Sequence, residues 1–215
     1  MRYLGGKYRL AKWIVGHLHR LDVGRGFLDL FTGSGAIVAN LRPDRVRVAC
    51  DANRAMITTL QHVQAGWLPG PIDATEYARL RVVNDPKDPL TAVAGFGCSF
   101  GGDWFSGYVR DAGPRWFQPD KRNGGNVLQS MLVTPCDQQA RASLAKMAPK
   151  LRGVHFHACD FRELQTPPPG VVVYADPPVS GNDRLQSRRA FPALGILGSD
   201  ARVARGRCDR RRERI

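Results

Sequence analysis

The 215-residue chain lacks several features that would assign it to a particular class of protein. It has no apolar run of about 18–20 residues, which excludes a membrane-spanning helix. Its first residues, MRYLGGKYRL, contain no apolar centre of a signal peptide. The five cysteines are scattered without a CxxC pair or a metal-ligand spacing, which predicts reduced thiols and no metal site. We therefore expect a cytoplasmic protein.

Acidic residues are also scarce relative to basic ones. The 32 Lys and Arg outnumber the 19 Asp and Glu, which gives a formal net charge of +13. Residues 180–215 contain ten Arg against four acidic residues, so +6 of this charge lies in that segment and +7 in the rest. A basic surplus is typical of proteins that bind nucleic acid, although an ordinary solvated basic surface is the alternative.

Apolar periodicity predicts a doubly wound α/β core. Helices of period 3.6 alternate with short apolar strands, and this alternation is typical of a parallel sheet. The residues between 67 and 135 are rich in Pro, Gly and aromatics without a long periodic run, and they predict an insertion without sheet character. The predicted helices cover residues 7–21, 52–66 and 136–151, the predicted strands cover 26–31, 45–51, 154–160 and 171–178, and residues 32–41 are predicted as a Gly turn running into a helix.

This pattern divides the chain into four parts. Residues 1–66 form the first half of the core, residues 67–135 the insertion, and residues 136–179 the return to the core. Residues 180–215 are rich in Arg and lack periodicity, which predicts a disordered tail.

The segment TGSG places two glycines, Gly33 and Gly35, between a predicted strand and a predicted helix. Such a turn lets a ligand approach the backbone at a helix N-terminus. A dinucleotide fingerprint requires a third glycine at position 38, where this chain has Val, so the pattern argues against a nicotinamide dinucleotide. An ordinary strand-to-helix turn is the alternative.

Three aspartates, Asp51, Asp160 and Asp176, end predicted strands. Parallel strands end at one edge of the sheet, where such folds bind ligands, and a carboxylate at the position of Asp51 can chelate a ribose diol. A single strand-terminal Asp is commonly a helix cap. After Asp176, the Pro177 carbonyl and the Asp176 carboxylate could accept from one substrate amino group and leave its lone pair exposed. A strand-ending turn is the alternative interpretation of this Asp-Pro-Pro.

Five segments in this order, RYLGGKYRL, FLDLFTGSGAIVAN, DANRAMI, CDF and YADPP, resemble the Dam-like (D12 class) DNA adenine-N6 methyltransferases over about residues 2–179. The resemblance implies a Rossmann-like core that depends on S-adenosylmethionine (AdoMet), with an inserted target-recognition subdomain. The implied reaction is methyl transfer to N6 of an adenine flipped out of double-stranded DNA. It also implies a monomer that needs no metal, from a restriction–modification system, an orphan methylase or a phage.

The resemblance also implies roles for individual residues. Tyr3 and Lys7 would touch AdoMet, Asp29 and Gly33 would line its methionine end, Asp51 would hold the ribose, and Asp160 would lie near the adenine ring. Asp176 and Pro177, followed by Pro178, would form the catalytic motif that grips the target amine beside the cofactor. The predicted DNA contacts in the insertion are Arg110, Arg115, Lys121, Arg122, Asn123 and Asn126.

The chain departs from the family after the second proline, where Val179 replaces the usual stacking aromatic and the expected later strands and helices are absent. A one-base shift of the back-translated tail permits Tyr at this position, followed in the same frame by GTTAY, PHSAFWD and SEY. This suggests that a one-base insertion near codon 178 produced a truncated enzyme of low stability and little or no activity, with the C-terminal part of its core missing.

Several alternatives remain open at this point. One alternative to the one-base insertion is that the tail is a genuine basic DNA-binding arm. The chain would then be a remnant that binds DNA or AdoMet without catalysis. A nucleotide-dependent dehydrogenase is another class of candidate, although the glycine spacing argues against it. Methylation of RNA or of protein amides is a weaker variant of the methyltransferase interpretation.

Overall fold

A computed structural model describes residues 1–109, 134–177 and 203–205. Its centre is a five-stranded sheet in the order β3-β2-β1-β4-β5, in which every neighbouring pair is parallel. Strand order reverses between β1 and β4, which is the switch point of a doubly wound sheet. The predicted Rossmann-like α/β fold is therefore confirmed. The strands are β1 Phe27–Asp29, β2 Arg47–Asp51, β3 Val154–Ala158, β4 Val172–Ala175 and β5 Val203–Arg205.

Five α-helices accompany the sheet in the described part of the chain. Three of them correspond to predicted helices, and α3 and α4 lie in the predicted insertion. Side-chain caps fix several starts; the Asn53 side chain, for example, accepts from the Met56 amide at 3.2 Å ahead of α2. The helices are α1 Ala11–Leu21, α2 Arg54–Gln64, α3 Ala74–Val83, α4 Pro89–Ala92 and α5 Cys136–Met147.

The larger hydrophobic core packs one face of the sheet against α1, α2 and α5. Residues of the predicted insertion share this core, with Tyr77 and Leu80 of α3 and Val93 after α4 all buried in it. Among residues 67–109 the only β pairing is one isolated antiparallel bridge between Ser99 and Tyr108. This first part of the insertion therefore packs as part of the core.

The helix predicted within residues 32–41 is wrong. This stretch forms turns followed by a single 3-10 turn, Val38–Asn40. Gly33 and Gly35 have φ of 48° and 76°, which breaks a right-handed helix at its start. Pro43 disfavours helical backbone at the residue before it, so too few residues remain between the glycines and Pro43 for a stable helix.

Three residues of the Arg-rich tail, Val203–Arg205, pair with Val173–Ala175 and form β5. The predicted disorder of the tail as a whole stays a prediction. The remainder of the tail and residues 110–133 lie outside the described residues. Within the described residues, no helix has the length and apolar character needed to cross a membrane.

Candidate active site

A cavity of about 460 Å³ opens at the carboxyl edge of the sheet, beside the switch point between β1 and β4. Its volume is in the range of small-molecule sites, which is roughly 300–1,000 Å³. The N-terminal segment before α1 forms one wall, and residues that follow β1, β2, β3 and β4 form the others. The lining includes Tyr3, Lys7, Phe31, Gly33, Asp51, Asp160, Phe161, Tyr174, Asp176 and Pro177.

Asp51, the last residue of β2, has a fixed carboxylate. Its Oδ2 accepts from the Gly33 amide at 2.7 Å, and its Oδ1 accepts from the Asn53 amide at 2.8 Å. The acid therefore ties the loop after β1 to the end of β2 and holds one defined orientation at the cavity wall. Each oxygen keeps a second lone-pair direction for a ligand hydroxyl.

Gly33 brings the N-terminal segment onto the same loop. A Cβ atom at this position would lie 2.9 Å from Cε1 of Tyr3, so only glycine admits the ring here. The Tyr3 ring also packs against Phe96, with the ring centroids 4.6 Å apart. Burial, together with the negative charge of Asp51, raises the pKa of the Tyr3 hydroxyl to about 12. The hydroxyl therefore keeps its proton at neutral pH and can act as a donor.

Asp29 and Tyr174 lie opposite each other in the register of β1 and β4. Neither the Asp29 carboxyl oxygens nor the Tyr174 hydroxyl meets hydrogen-bond geometry with a described group. Burial raises the pKa of Asp29 to about 8; the charges of Asp51 and Asp176 add to the shift, and the nearby Phe31 amide offsets part of it. The centre of the sheet thus carries an acid that is largely protonated at neutral pH.

The two residues differ in their access to the cavity. Tyr174 lines it, and burial raises the pKa of its hydroxyl. Asp29 is only 1% exposed and lies behind the lining residues. In this arrangement it does not reach the cavity, whereas the resemblance implied that it lines the methionine end of AdoMet.

Lys7 and Asp176 form an ion pair across the cavity, with 2.5 Å between Lys7 Nζ and Asp176 Oδ2. The Lys7 ammonium also donates to the Gly5 carbonyl at 3.2 Å. Pro177, the next residue after Asp176, is exposed and lines the same cavity. The segment ahead of α1 and the segment after β4 therefore meet at the Asp176 carboxylate.

Asp160 follows β3 and caps the short 3-10 turn Phe161–Glu163. Its Oδ1 accepts from the backbone amide of Arg162 at 2.9 Å and from Nε of the same residue at 2.8 Å. Hydrogen bonds from Arg162 lower the pKa of Asp160 to about 2, so the acid is ionised at neutral pH. Beside it, the rings of Phe161 and Phe31 lie with their centroids 5.3 Å apart and their planes tilted by 49°, and they give the cavity an apolar wall.

Several predicted residues cannot be located. Pro178 and all six predicted DNA contacts lie outside the described residues: Arg110, Arg115, Lys121, Arg122, Asn123 and Asn126.

Tyr174, Phe31 and Phe161 line the cavity and were missed as site residues. The strand period of two places Tyr174 on the same side as Asp176, and Phe161 belongs to the CDF segment, so both carried a readable signal.

A parallel doubly wound sheet with strand-terminal carboxylates around a cavity at its switch point is the arrangement of a Rossmann-like methyltransferase core. Residues 3–81 match the model of one protein family, D12 class N6 adenine-specific DNA methyltransferase. The resemblance inferred from the motifs is therefore confirmed over these residues, which include Gly33 and Asp51. The segments around Asp160 and Asp176 lie beyond the matched range. None of the curated proteins compared with the chain matches it.

Proposed function

We propose that this protein is an AdoMet-dependent methyltransferase that acts on N6 of adenine in double-stranded DNA. The observation that carries the proposal is that one cavity joins the fixed carboxylate of Asp51 to the Asp176-Pro177 pair. The family match over residues 3–81 supplies the reaction class.

The residues present fit AdoMet chemically. The two oxygens of Asp51 are oriented to accept from a ribose diol, and Phe31 and Phe161 offer apolar rings to an adenine. AdoMet carries positive charge on its sulfonium and ammonium groups. The cavity lining holds three aspartates against one lysine, Lys7, and this negative surplus complements that charge. When bound, the cofactor supplies an activated methyl group.

Asp176 and Pro177 would orient the nucleophile. The Asp176 carboxylate and the Pro177 carbonyl each accept one N–H of the target amine, so the nitrogen lone pair faces the methyl carbon. As the N–C bond forms, the C–S bond breaks and its electron pair stays on sulfur; the extra proton on N6 then passes to water. Positioning supplies most of the acceleration in such a step, and the target base must leave the stack to be positioned.

Lys7 would hold the Asp176 carboxylate in place through Oδ2, the oxygen it contacts at 2.5 Å. The amine would then be accepted by Oδ1. In this role Lys7 is a positioning residue, because it acts on the substrate through Asp176.

We further propose that the chain is a slow catalyst, because Val179 stands where the family has a stacking aromatic. Val179 lies outside the described residues, so this part of the proposal comes from the sequence. Base–aromatic stacking is worth roughly 1–3 kcal/mol, so Val179→Tyr should raise methyl transfer about 5- to 150-fold. A nucleotide read of the source gene across codons 176–216 tests the one-base insertion directly: an extra base at codon 178 supports it, and an intact frame contradicts it.

The function is tested by incubating the chain and Val179→Tyr with methyl-labelled AdoMet and duplex DNA, then identifying the labelled nucleoside. N6-methyladenine from either protein supports the proposal, and Asp176→Ala in the Val179→Tyr background is the inactive control. AdoMet, but not NAD, should raise the melting temperature.

One other function is favoured by the departure at Val179, namely a remnant that binds DNA or AdoMet without catalysis. Retention of DNA and AdoMet with no label incorporated by either protein would support that remnant and contradict the methyltransferase. Stabilisation by NAD alone would contradict both.

A further inference from the structure

A second concave surface, separate from the cavity, lies between α1 and α5. It is a groove of about 340 Å³. Four of its lining residues are basic, and none is acidic. All four basic residues are exposed to solvent. Its basic residues are Arg9, Lys12, Lys146 and Lys150, with Tyr8 and Asn40 beside them.

The basic residues of this groove lack acidic partners within the described part of the chain. Arg9, Lys12 and Lys146 form no ion pair there, and Lys150 donates only to the neutral Asn40 side chain, at 3.3 Å. Positive charges that are not neutralised locally add their potentials, and a concave surface concentrates the resulting field.

The sequence explains this excess of charge. Residues 1–21 contain five Lys or Arg and no acidic residue, and residues 138–159 contain four Lys or Arg and no acidic residue. The fold brings these two stretches together: Arg2 Nη2 donates to Gln139 Oε1 at 3.4 Å, and the Tyr8 hydroxyl contacts Met147 Sδ at 3.8 Å. Two acid-free segments distant in sequence thus form one surface.

The groove is connected to the mouth of the cavity. A third depression shares Tyr8 and Arg9 with the groove, and it shares Tyr3, Gly6 and Lys7 with the cavity. The basic residues along the connected path are Arg2, Lys7, Arg9, Lys12, Lys146 and Lys150.

We propose that the α1–α5 groove binds phosphate groups of the DNA backbone and directs the bound duplex towards the cavity. This inference rests on the proposed function, since it names DNA as the occupant because the groove leads to a site for a DNA base. It is independent of the DNA contacts predicted between residues 110 and 126. Phosphate contacts of this kind position a duplex without reading its sequence.

The test removes two groove charges with Lys12→Gln/Lys146→Gln. The matched control, Arg81→Gln/Lys87→Gln, removes the same charge from exposed residues of α3 and the turn after it, outside all three depressions. Binding of a fluorescein-labelled 20-base-pair duplex is followed by anisotropy between 50 and 200 mM salt. Because each phosphate contact contributes about 0.9 to the log–log salt slope, the groove variant should lose about 1.8 of slope and at least about tenfold in affinity. The control should stay within about twofold of the parent chain, since it removes no phosphate contact.

Equal salt slopes for the groove variant and the control would overturn the proposal. So would tighter binding of an RNA duplex of the same sequence through the same lysines. Thermal unfolding of each variant checks the fold. AdoMet stabilisation and methyl incorporation are measured separately. If both are absent while DNA binding still depends on the groove lysines, the proposed function alone is contradicted. Methylation by the parent, with the groove variant binding DNA like the control, contradicts the groove alone.

Discussion

The cavity and the α1–α5 groove carry opposite charge although the same N-terminal segment borders both. Three aspartates at or after the ends of three strands line the cavity with one lysine, Lys7, whereas the groove presents four basic residues and no acidic one. The proposed ligands have opposite charge as well, since AdoMet is a cationic sulfonium compound and DNA is a polyanion. The two sets meet only at Lys7, which lines the cavity and pairs with Asp176, whereas the four basic residues of the groove form no ion pair in the described part of the chain.

The two regions also differ in how far their charges are fixed. Asp51 and Asp160 are held by hydrogen bonds to the backbone and to Arg162, whereas the groove lysines extend into water. Exposed charges are screened by salt within about 8–10 Å at moderate ionic strength, and partly buried ones much less. AdoMet binding should therefore depend less on salt than DNA binding does.

The largest effect is expected from Asp51→Asn. The amide would keep one acceptor oxygen but present its NH2 to a backbone donor, either that of Gly33 or that of Asn53. A charge-assisted hydrogen bond is worth about 1.5–3 kcal/mol, so AdoMet affinity, measured by calorimetry, should fall about 10- to 150-fold. Asp160→Asn is the comparison, and we expect a loss below about tenfold because Arg162 already engages that carboxylate. Equal losses would show that the cavity aspartates act as a uniform negative surface.

Asp29→Asn tests whether one acid behind the cavity lining is neutral. The pKa of Asp29 is raised to about 8 by burial, so between pH 4 and pH 8 the folded chain holds a proton that the unfolded chain releases. The free energy of unfolding should therefore fall as pH rises through this window, by up to about 1.4 kcal/mol per pH unit. Asn at position 29 removes this contribution. Urea unfolding at several pH values should show the variant gaining on the parent as pH rises; a constant difference would mean that Asp29 is already ionised.

Gly33→Ala tests the contact that brings the N-terminal segment to both regions. The substitution adds the strain of a positive φ and a Cβ atom 2.9 Å from Tyr3, and we expect it to lower the free energy of unfolding by about 2 kcal/mol. Gly24→Ala is the matched control, because Gly24 has a φ of 92° with no atom within 4 Å of an added Cβ. Its loss should be about 1 kcal/mol. If the two losses in urea unfolding are equal, Tyr3 does not depend on Gly33.

The smallest effect is expected from Tyr174→Phe. The buried hydroxyl meets no close hydrogen-bond geometry in the described residues and interacts only weakly with the Asp176 carboxylate, so removing it should change the free energy of unfolding by less than about 1 kcal/mol. Tyr77→Phe is the contrast, because the Tyr77 hydroxyl lies 2.8 Å from the Ser99 hydroxyl in a buried site. That change should cost about 1–2 kcal/mol. A loss of this size at Tyr174 would show that its hydroxyl forms a strong hydrogen bond with the Asp176 carboxylate.

The acidic residues at the carboxyl edge of the sheet could be predicted from the sequence because each is marked by its immediate neighbours in the chain. An apolar strand followed by Asp fixes both the direction of the strand and the position of the acid. Once the strands are parallel, Asp51, Asp160 and Asp176 must lie at one edge, and all three line the cavity. The conformation of residues 32–41 was missed because the glycines and Pro43 outweigh the apolar residues between them.

The remaining features depend on tertiary contacts that no local pattern encodes. The Lys7–Asp176 ion pair joins residues far apart in sequence, and the groove requires α1 to lie beside α5. The packing of α3 on the core was also hidden, because only Tyr77 and Leu80 of that helix are buried and its pattern is weakly periodic. Each acid-free segment was readable, but their proximity was not.

The position of β4 beside β1 sets an order of events during synthesis on the ribosome. β1 emerges early and can pair with β2 as soon as residues 47–51 have been made. Its other edge has no partner strand until residues 172–175 leave the exit tunnel. Throughout that interval a nascent chain would present the open edge of its future central strand, which is a template for pairing with another chain. Translation speed and chaperone supply should therefore affect the yield of this protein more than its small number of strands would suggest.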